Sequence, residues 1–200
     1  MMNLFDLHLK MTSHLFPAFS NTDERFLTLA LCGEVGELAN MIKKRWRDSV
    51  DLGEEIRDEI ADIRIYLELI ARCFNIEGDK LDTRVSQTMV LEFNHDDEKF
   101  MALALCAKAG QLATTVETRW STGHNVMAYL AKEQIVYLRI YLEMMADIFL
   151  IPGKKLDHRV EEKLAKVIRK HGIKMDGTDG IKRPVDLGTT NSDGWDSEAD

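Results

Sequence analysis

Proline is scarce in this chain, with three in 200 residues. Proline breaks helices, so its scarcity, together with long stretches free of glycine, favours helix. Cysteine is as scarce. Cys32, Cys73 and Cys106 are odd in number, far apart and form no C-x-x-C pair. That argues against a disulfide framework and against a cysteine-based zinc site; reduced, buried thiols are expected. No apolar run is long enough to span a bilayer. No basic start followed by a long apolar run marks a signal peptide, so a cytoplasmic protein with no membrane partner is expected. Basic residues are the minority, 26 Lys and Arg against 34 Asp and Glu, for a net charge of −8. Binding to a nucleic-acid polymer relies on clustered Lys and Arg, so such a partner is not expected. An acidic surplus suits a protein that holds cations on carboxylates, and equally one that is merely soluble.

What is present is a sequence written twice. "FLTLALCGEVGELANMIKKRW", Phe26 to Trp46, aligns without gaps on "FMALALCAKAGQLATTVETRW", Phe100 to Trp120, with ten of twenty-one positions identical. "RIYLELIARCFNIEGDKLDTRV", from Arg64, aligns on "RIYLEMMADIFLIPGKKLDHRV", from Arg139, with fourteen of twenty-two identical. The offset grows from 74 to 75 between the two blocks. Two copies are too few for a solenoid. A fused, pseudo-symmetric dimer is the expectation.

The periodicity is helical. Phe26, Leu29, Ala30, Gly33, Gly36 and Leu38 fall near i, i+3, i+4 spacing, and Asn21, Thr22 and Asp23 offer an N-cap before them. Helices are predicted at about 3–15, 22–47, 52–75, 79–92, 96–120, 125–149 and 154–171. Short connections make neighbouring helices antiparallel. The fold class is therefore all-α, a helical bundle. Residues 1–93 form the first copy, 94–171 the second, and 172–200, rich in Gly, Asp, Ser and Thr, a flexible acidic tail.

The chemistry lies in the acids. Glu34 and Glu37 are three apart and share a helix face, as do Glu59 and Asp62 on the next helix. If those helices pack antiparallel, the two pairs face one another. Four converging carboxylates repel unless a cation neutralises them. Oxygen-only ligands select a hard ion, Mg²⁺ or Mn²⁺. A solvated helix face is the plainer reading of any E-x-x-E. Here the glutamates sit within "ALCGEVGELA" and Asp62 within "EIADIRIYL", where unpaired charge is costly. A di-iron bundle needs Glu-x-x-His on two helices, and neither pair carries a histidine.

"ALCGEVGELAN" followed by "EEIRDEIADIRIYL" resembles the MazG-like, all-α nucleoside triphosphate pyrophosphatases, whose signature is E-x-x-E, a spacer, then E-x-x-D. Glu34, Glu37, Glu59 and Asp62 match it. "HLFPAF" and "ARCFNIEGDKL" are similar to flanking parts of the family, so the likeness covers about residues 5–90. The second copy, to about residue 171, is similar in framework alone. The resemblance implies two tandem MazG-like repeats and Mg²⁺-dependent cleavage of a (deoxy)nucleoside triphosphate between its α- and β-phosphates. The products would be a nucleoside monophosphate and pyrophosphate. Either Glu34 or Glu37 would take the proton from the attacking water. The alternative is a nucleotide-binding or interaction protein that kept the fold with little turnover.

Substrate contacts are sought among aromatic and basic residues. His14 and Phe16 fall where similar proteins place base contacts. Lys43 opens the basic run Lys43, Lys44, Arg45, Arg47, which suits phosphate and equally complements a helix C-terminus. Lys163 and Arg169, on the last helix, resemble the family's closing basic helix, although the usual Asn between such residues is missing. If the fold is pseudo-dimeric, the second copy lends them to the first copy's site. In the second copy the four acids become Lys108, Gln111, Gln134 and Tyr137, which cannot hold Mg²⁺ as carboxylates do. One active site per chain is expected, and the chain is a candidate for pairing with a second copy of itself.

Overall fold

The computed structural model describes residues 23–76, 97–123, 126–151 and 153–171. The described residues contain five helices and no strand: α1 (Glu24–Asp48), α2 (Gly53–Cys73), α3 (Glu98–Thr122), α4 (Val126–Ile148) and α5 (Gly153–His171). They match five of the seven predicted helices to within a few residues. The predicted helices 3–15 and 79–92 and the tail 172–200 lie outside the described residues. No described helix is long and apolar enough to cross a membrane.

Local chemistry sets the helix ends. Asp23 caps α1, its carboxylate accepting from the Arg25 and Phe26 amides at 2.9 and 3.4 Å. Asp97 caps α3 in the same way, accepting from Lys99 and Phe100 at 2.8 and 3.4 Å. Each cap satisfies amides that the first helical turn leaves unpaired. At the other end α3 stops at Gly123, whose φ of 69° is cheap for glycine. α2 and α4 finish in matching turns. The Ile76 amide reaches back to the Ala71 carbonyl at 2.9 Å, and the Ile151 amide to the Ala146 carbonyl at 2.8 Å. Asn75 and Leu150 carry the left-handed residue within each turn.

α1 packs on α2 and α3, α3 on α4, and α2 on α4 and α5. The core runs along one stripe of each helix. α1 buries Leu27, Leu31, Val35, Leu38 and Ile42, and α3 buries Met101, Leu105, Ala109, Leu112 and Val116. These are the same positions at the 74-residue offset. α2 buries Ile56, Ile60, Ile63, Leu67 and Ile70, and α4 the positions 75 further on, Ala131, Ile135, Leu138, Leu142 and Met145. The residues whose spacing marks α1 as a helix, Phe26, Leu29, Ala30, Gly33, Gly36 and Leu38, do not together form its core face. Leu38 alone of them is buried, and Leu29 is 74% exposed. In a helix so rich in apolar and small residues several stripes share one period. Hiding Leu27, Leu31 and Ile42 removes more apolar surface than hiding glycines.

The contacts between α1 and α3 are reciprocal. Arg45 near the end of α1 pairs with Glu98 at the start of α3, and Arg119 near the end of α3 pairs with Glu24 at the start of α1. Arg25 lies 3.8 Å from the Trp120 ring centroid, and Lys99 lies 5.1 Å from that of Trp46. The two helices are therefore antiparallel, and each gives the other what it receives.

Charge is also buried between α2 and α4. Arg64 and Arg139, the first letters of the repeated "RIYLE", are 6% and 4% exposed. Arg64 donates to Glu68 at 2.5 Å and to Glu143 at 2.6 Å. Arg139 donates to Glu143 at 2.6 Å and lies 3.6 Å from Glu68. Burial pushes the Glu143 carboxyl up, and the charge of Arg64 opposes it. Removing one member of such a set strands the others in a poor solvent for charge. Arg64→Ala is expected to lower the unfolding free energy by about 3 kcal/mol in urea denaturation. A loss below about 1 kcal/mol would put the network in the class of exposed pairs.

Candidate metal centre

Glu34 projects from α1, one residue before the core position Val35. Glu59 and Asp62 project from α2, flanking the core positions Ile60, Ala61 and Ile63. The sequence thus places each acid at the edge of a buried stripe, where two apolar faces close against each other. One carboxylate oxygen from each of the three lies within 4.8 Å of the others. Among the described residues this is the one group of His, Cys, Asp and Glu arranged to hold a metal ion.

The electrostatics are those of crowded acids. Burial pushes the Glu34 carboxyl up to about 7, reinforced by the charges of Asp62, Glu59 and Glu37 and opposed by Lys163. Burial also raises Glu59, helped by Asp62 and opposed by Lys163. Asp62 is raised by burial against a hydrogen bond from Lys163. Glu59 Oε2 is buried with no hydrogen-bond partner. A buried carboxylate oxygen left unsatisfied is costly; a hydrogen bond with Glu34 eases the Glu59 carboxylate, and a cation would neutralise it further.

The donor set fits Mg²⁺ or Mn²⁺. It is all oxygen and anionic, as hard ions require. The three oxygens, within 4.8 Å of one another, would have to draw closer by carboxylate rotation to share one ion.

Glu37 is exposed and outside this set, although its charge is felt at Glu34, Glu59 and Asp62. The structure thus brings together three of the four expected ligands and leaves the fourth beside them. Of the expected substrate residues, Lys163 is at the site. Its ammonium pairs with Asp62 and donates to the Asp58 carbonyl at 2.7 Å. Lys43 is not brought there. It is exposed, and nine residues beyond Glu34 is about half a turn around the helix. Arg169 is also exposed, and its side chain folds back on the Ala165 carbonyl of its own helix at 3.2 Å. His14 and Phe16 lie outside the described residues.

Two residues at the site were not singled out in the sequence. Tyr66 follows Asp62 by four and feels the charges of Glu34 and Asp62, which with burial raise its hydroxyl. Arg159 precedes Lys163 by four and binds Asp58 at 2.7 Å and Glu54 at 3.0 Å. In both cases i, i+4 spacing from a known site residue was the available signal.

The matching place in the second copy holds no acid cluster. The Lys108 ammonium sits 3.0 Å from Gln111 Oε1 and 4.8 Å from the Tyr137 ring centroid, and Gln134 Oε1 is buried without a partner. An ammonium stands where the first copy gathers carboxylates. The three cysteines are unpaired and partly buried, and burial raises each thiol, Cys73 to about 11.

The raised acids predict a pH dependence. The folded chain holds a proton on Glu34 up to about pH 7, whereas the ordinary carboxyl releases it near 4.5. Stability from that group is present below the lower value and lost as pH rises through the upper one; Glu59 and Asp62 shift in the same direction. In chelator, the thermal midpoint is expected to fall as pH rises across this window, and Glu34→Gln to flatten the fall. A wild-type midpoint that climbs over the same range would contradict this electrostatic picture. No protein-family model, curated protein or solved structure matches this chain.

Proposed function

We propose that the chain is a Mg²⁺-dependent nucleoside triphosphate pyrophosphohydrolase with one active site, acting in the cytoplasm on (deoxy)nucleotides. The observation that carries the reading is the convergence of carboxylate oxygens from Glu34, Glu59 and Asp62; one oxygen of Glu59 is also buried without a partner. The likeness of these acids and their spacing to the MazG-like signature supplies the reaction class.

Glu34, Glu59 and Asp62 would hold the ion. When bound, it supplies positive charge for the phosphate oxygens and for the pyrophosphate leaving group. The acids cannot meet a polyanion directly, so they act on it by fixing the ion's position. Glu37, outside the ligand set and open to solvent, is free to accept the proton of the attacking water. The water oxygen bonds to the α-phosphorus, and the bond from that phosphorus to the α–β bridging oxygen breaks. The electron pair leaves with pyrophosphate. Lys163 lies at the rim with an ammonium suited to triphosphate oxygens.

A panel of NTPs and dNTPs with Mg²⁺ or Mn²⁺ tests the reading through release of pyrophosphate. At least one nucleotide is expected to turn over. Asp62→Asn and Glu59→Gln should each lower kcat by about 100-fold or more. Nucleotide binding with no pyrophosphate from any member of the panel would move the protein to the binding class. Full activity in Asp62→Asn would refute the site.

A further inference from the structure

The contact between Lys163 and Asp62 raises a conflict that the metal reading must resolve. The ammonium is bonded to a carboxylate oxygen of one of the three candidate ligands. Its charge also reaches Glu34 and Glu59. A divalent ion seated among the three acids would stand within a few ångströms of that ammonium, and the two cations would repel in a partly buried place. They would also compete for the carboxylate of Asp62.

We propose that Lys163 and the divalent cation are alternative partners of Asp62, so that the ammonium neutralises the acid cluster until the ion enters and is expelled when it does. The proposal rests on the metal-binding part of the preceding reading. Three features of the chain support an exchange over a fixed pair. The lysine is attached through a flexible four-carbon stem. Its second contact, to the Asp58 carbonyl, is to a neutral group. α5 has a separate anchor one turn earlier, where Arg159 grips Asp58 and Glu54; the lysine can therefore let go without the helix undocking. With the ammonium in place, three ionised carboxylates keep two uncompensated charges. A divalent ion in its place leaves one, and frees a cation at the mouth of the site. Lys163 is then a positioning residue for the empty site that sets the threshold for metal entry.

Mn²⁺ affinity of the full chain at a pH above 7, measured by calorimetry, reads the exchange. Lys163→Met is expected to bind Mn²⁺ about tenfold more tightly than wild type, because no cation has to be displaced. Lys163→Arg, which keeps the charge, should stay within about threefold of wild type. In chelator Lys163→Met should melt lower than wild type and gain more on adding Mn²⁺. Equal or weaker Mn²⁺ binding in Lys163→Met would overturn the proposal, as would the same gain in Lys163→Arg. Should the methionine variant not fold, the side-chain ammonium resonance of Lys163 in ¹⁵N-labelled wild type serves instead. Mg²⁺ should abolish the signature of its ion pair, and a resonance unchanged at saturating Mg²⁺ would overturn the exchange. Pyrophosphate release by wild type with unaltered Mn²⁺ affinity in Lys163→Met sinks the exchange and spares the enzyme reading. Exchange without pyrophosphate release does the reverse. A wild-type chain that binds neither ion overturns both.

Discussion

Two buried guanidiniums shared between two carboxylates fix α2 against α4, and much else depends on that register. Arg64 and Arg139 reach both Glu68 and Glu143. Apolar packing alone is forgiving, since one isoleucine ridge resembles the next. A charge buried without its partner is not tolerated, so this set admits one alignment of the two helices. α2 is also the helix that carries Glu59 and Asp62. Each one-residue slip turns a helix by about 100°, which would carry those acids away from Glu34 and from Lys163. The candidate metal centre, on one flank of α2, is thus held in place from the other.

Much of this was legible in the sequence, for identifiable reasons. Helix existence followed from periodicity and from the scarcity of breakers, and residue type narrowed the α1 cap to Asn21, Thr22 and Asp23, of which Asp23 serves. Spacing foretold that Glu59 and Asp62 would meet Glu34 across the two helices, but Glu37, spaced just as regularly, stays outside the group. The face of α1 was not legible. Leu29 and Leu31 are equally apolar, and only the partner helices decide which one is buried. Lys43 and Arg169 failed for a related reason. Charge and proximity in sequence say nothing of azimuth, and on a helix azimuth decides what a long side chain can reach.

Lys163 is the instructive case between these. It stands 101 residues from Asp62, and no local pattern joins them. What pointed to it was the likeness of its helix to the closing basic helix of the MazG-like proteins, joined to the idea that one copy's last helix serves the other copy's acids. In the structure α5 does pack on α2, and the lysine lies on the acid cluster. The contact was foreseen as one with substrate and is seen as one with a carboxylate.

The reciprocal pairs Arg45–Glu98 and Arg119–Glu24 carry a consequence for how such a chain can change. In a dimer of identical subunits every substitution appears twice, so a mutation that damages a site damages both. Here the two contact surfaces are encoded separately within one chain. Glu34 can remain an acid while its counterpart is Lys108, with the reciprocal clasp between the helices intact. Helices that clasp reciprocally within one chain can thus diverge at other positions while the clasp between them is kept.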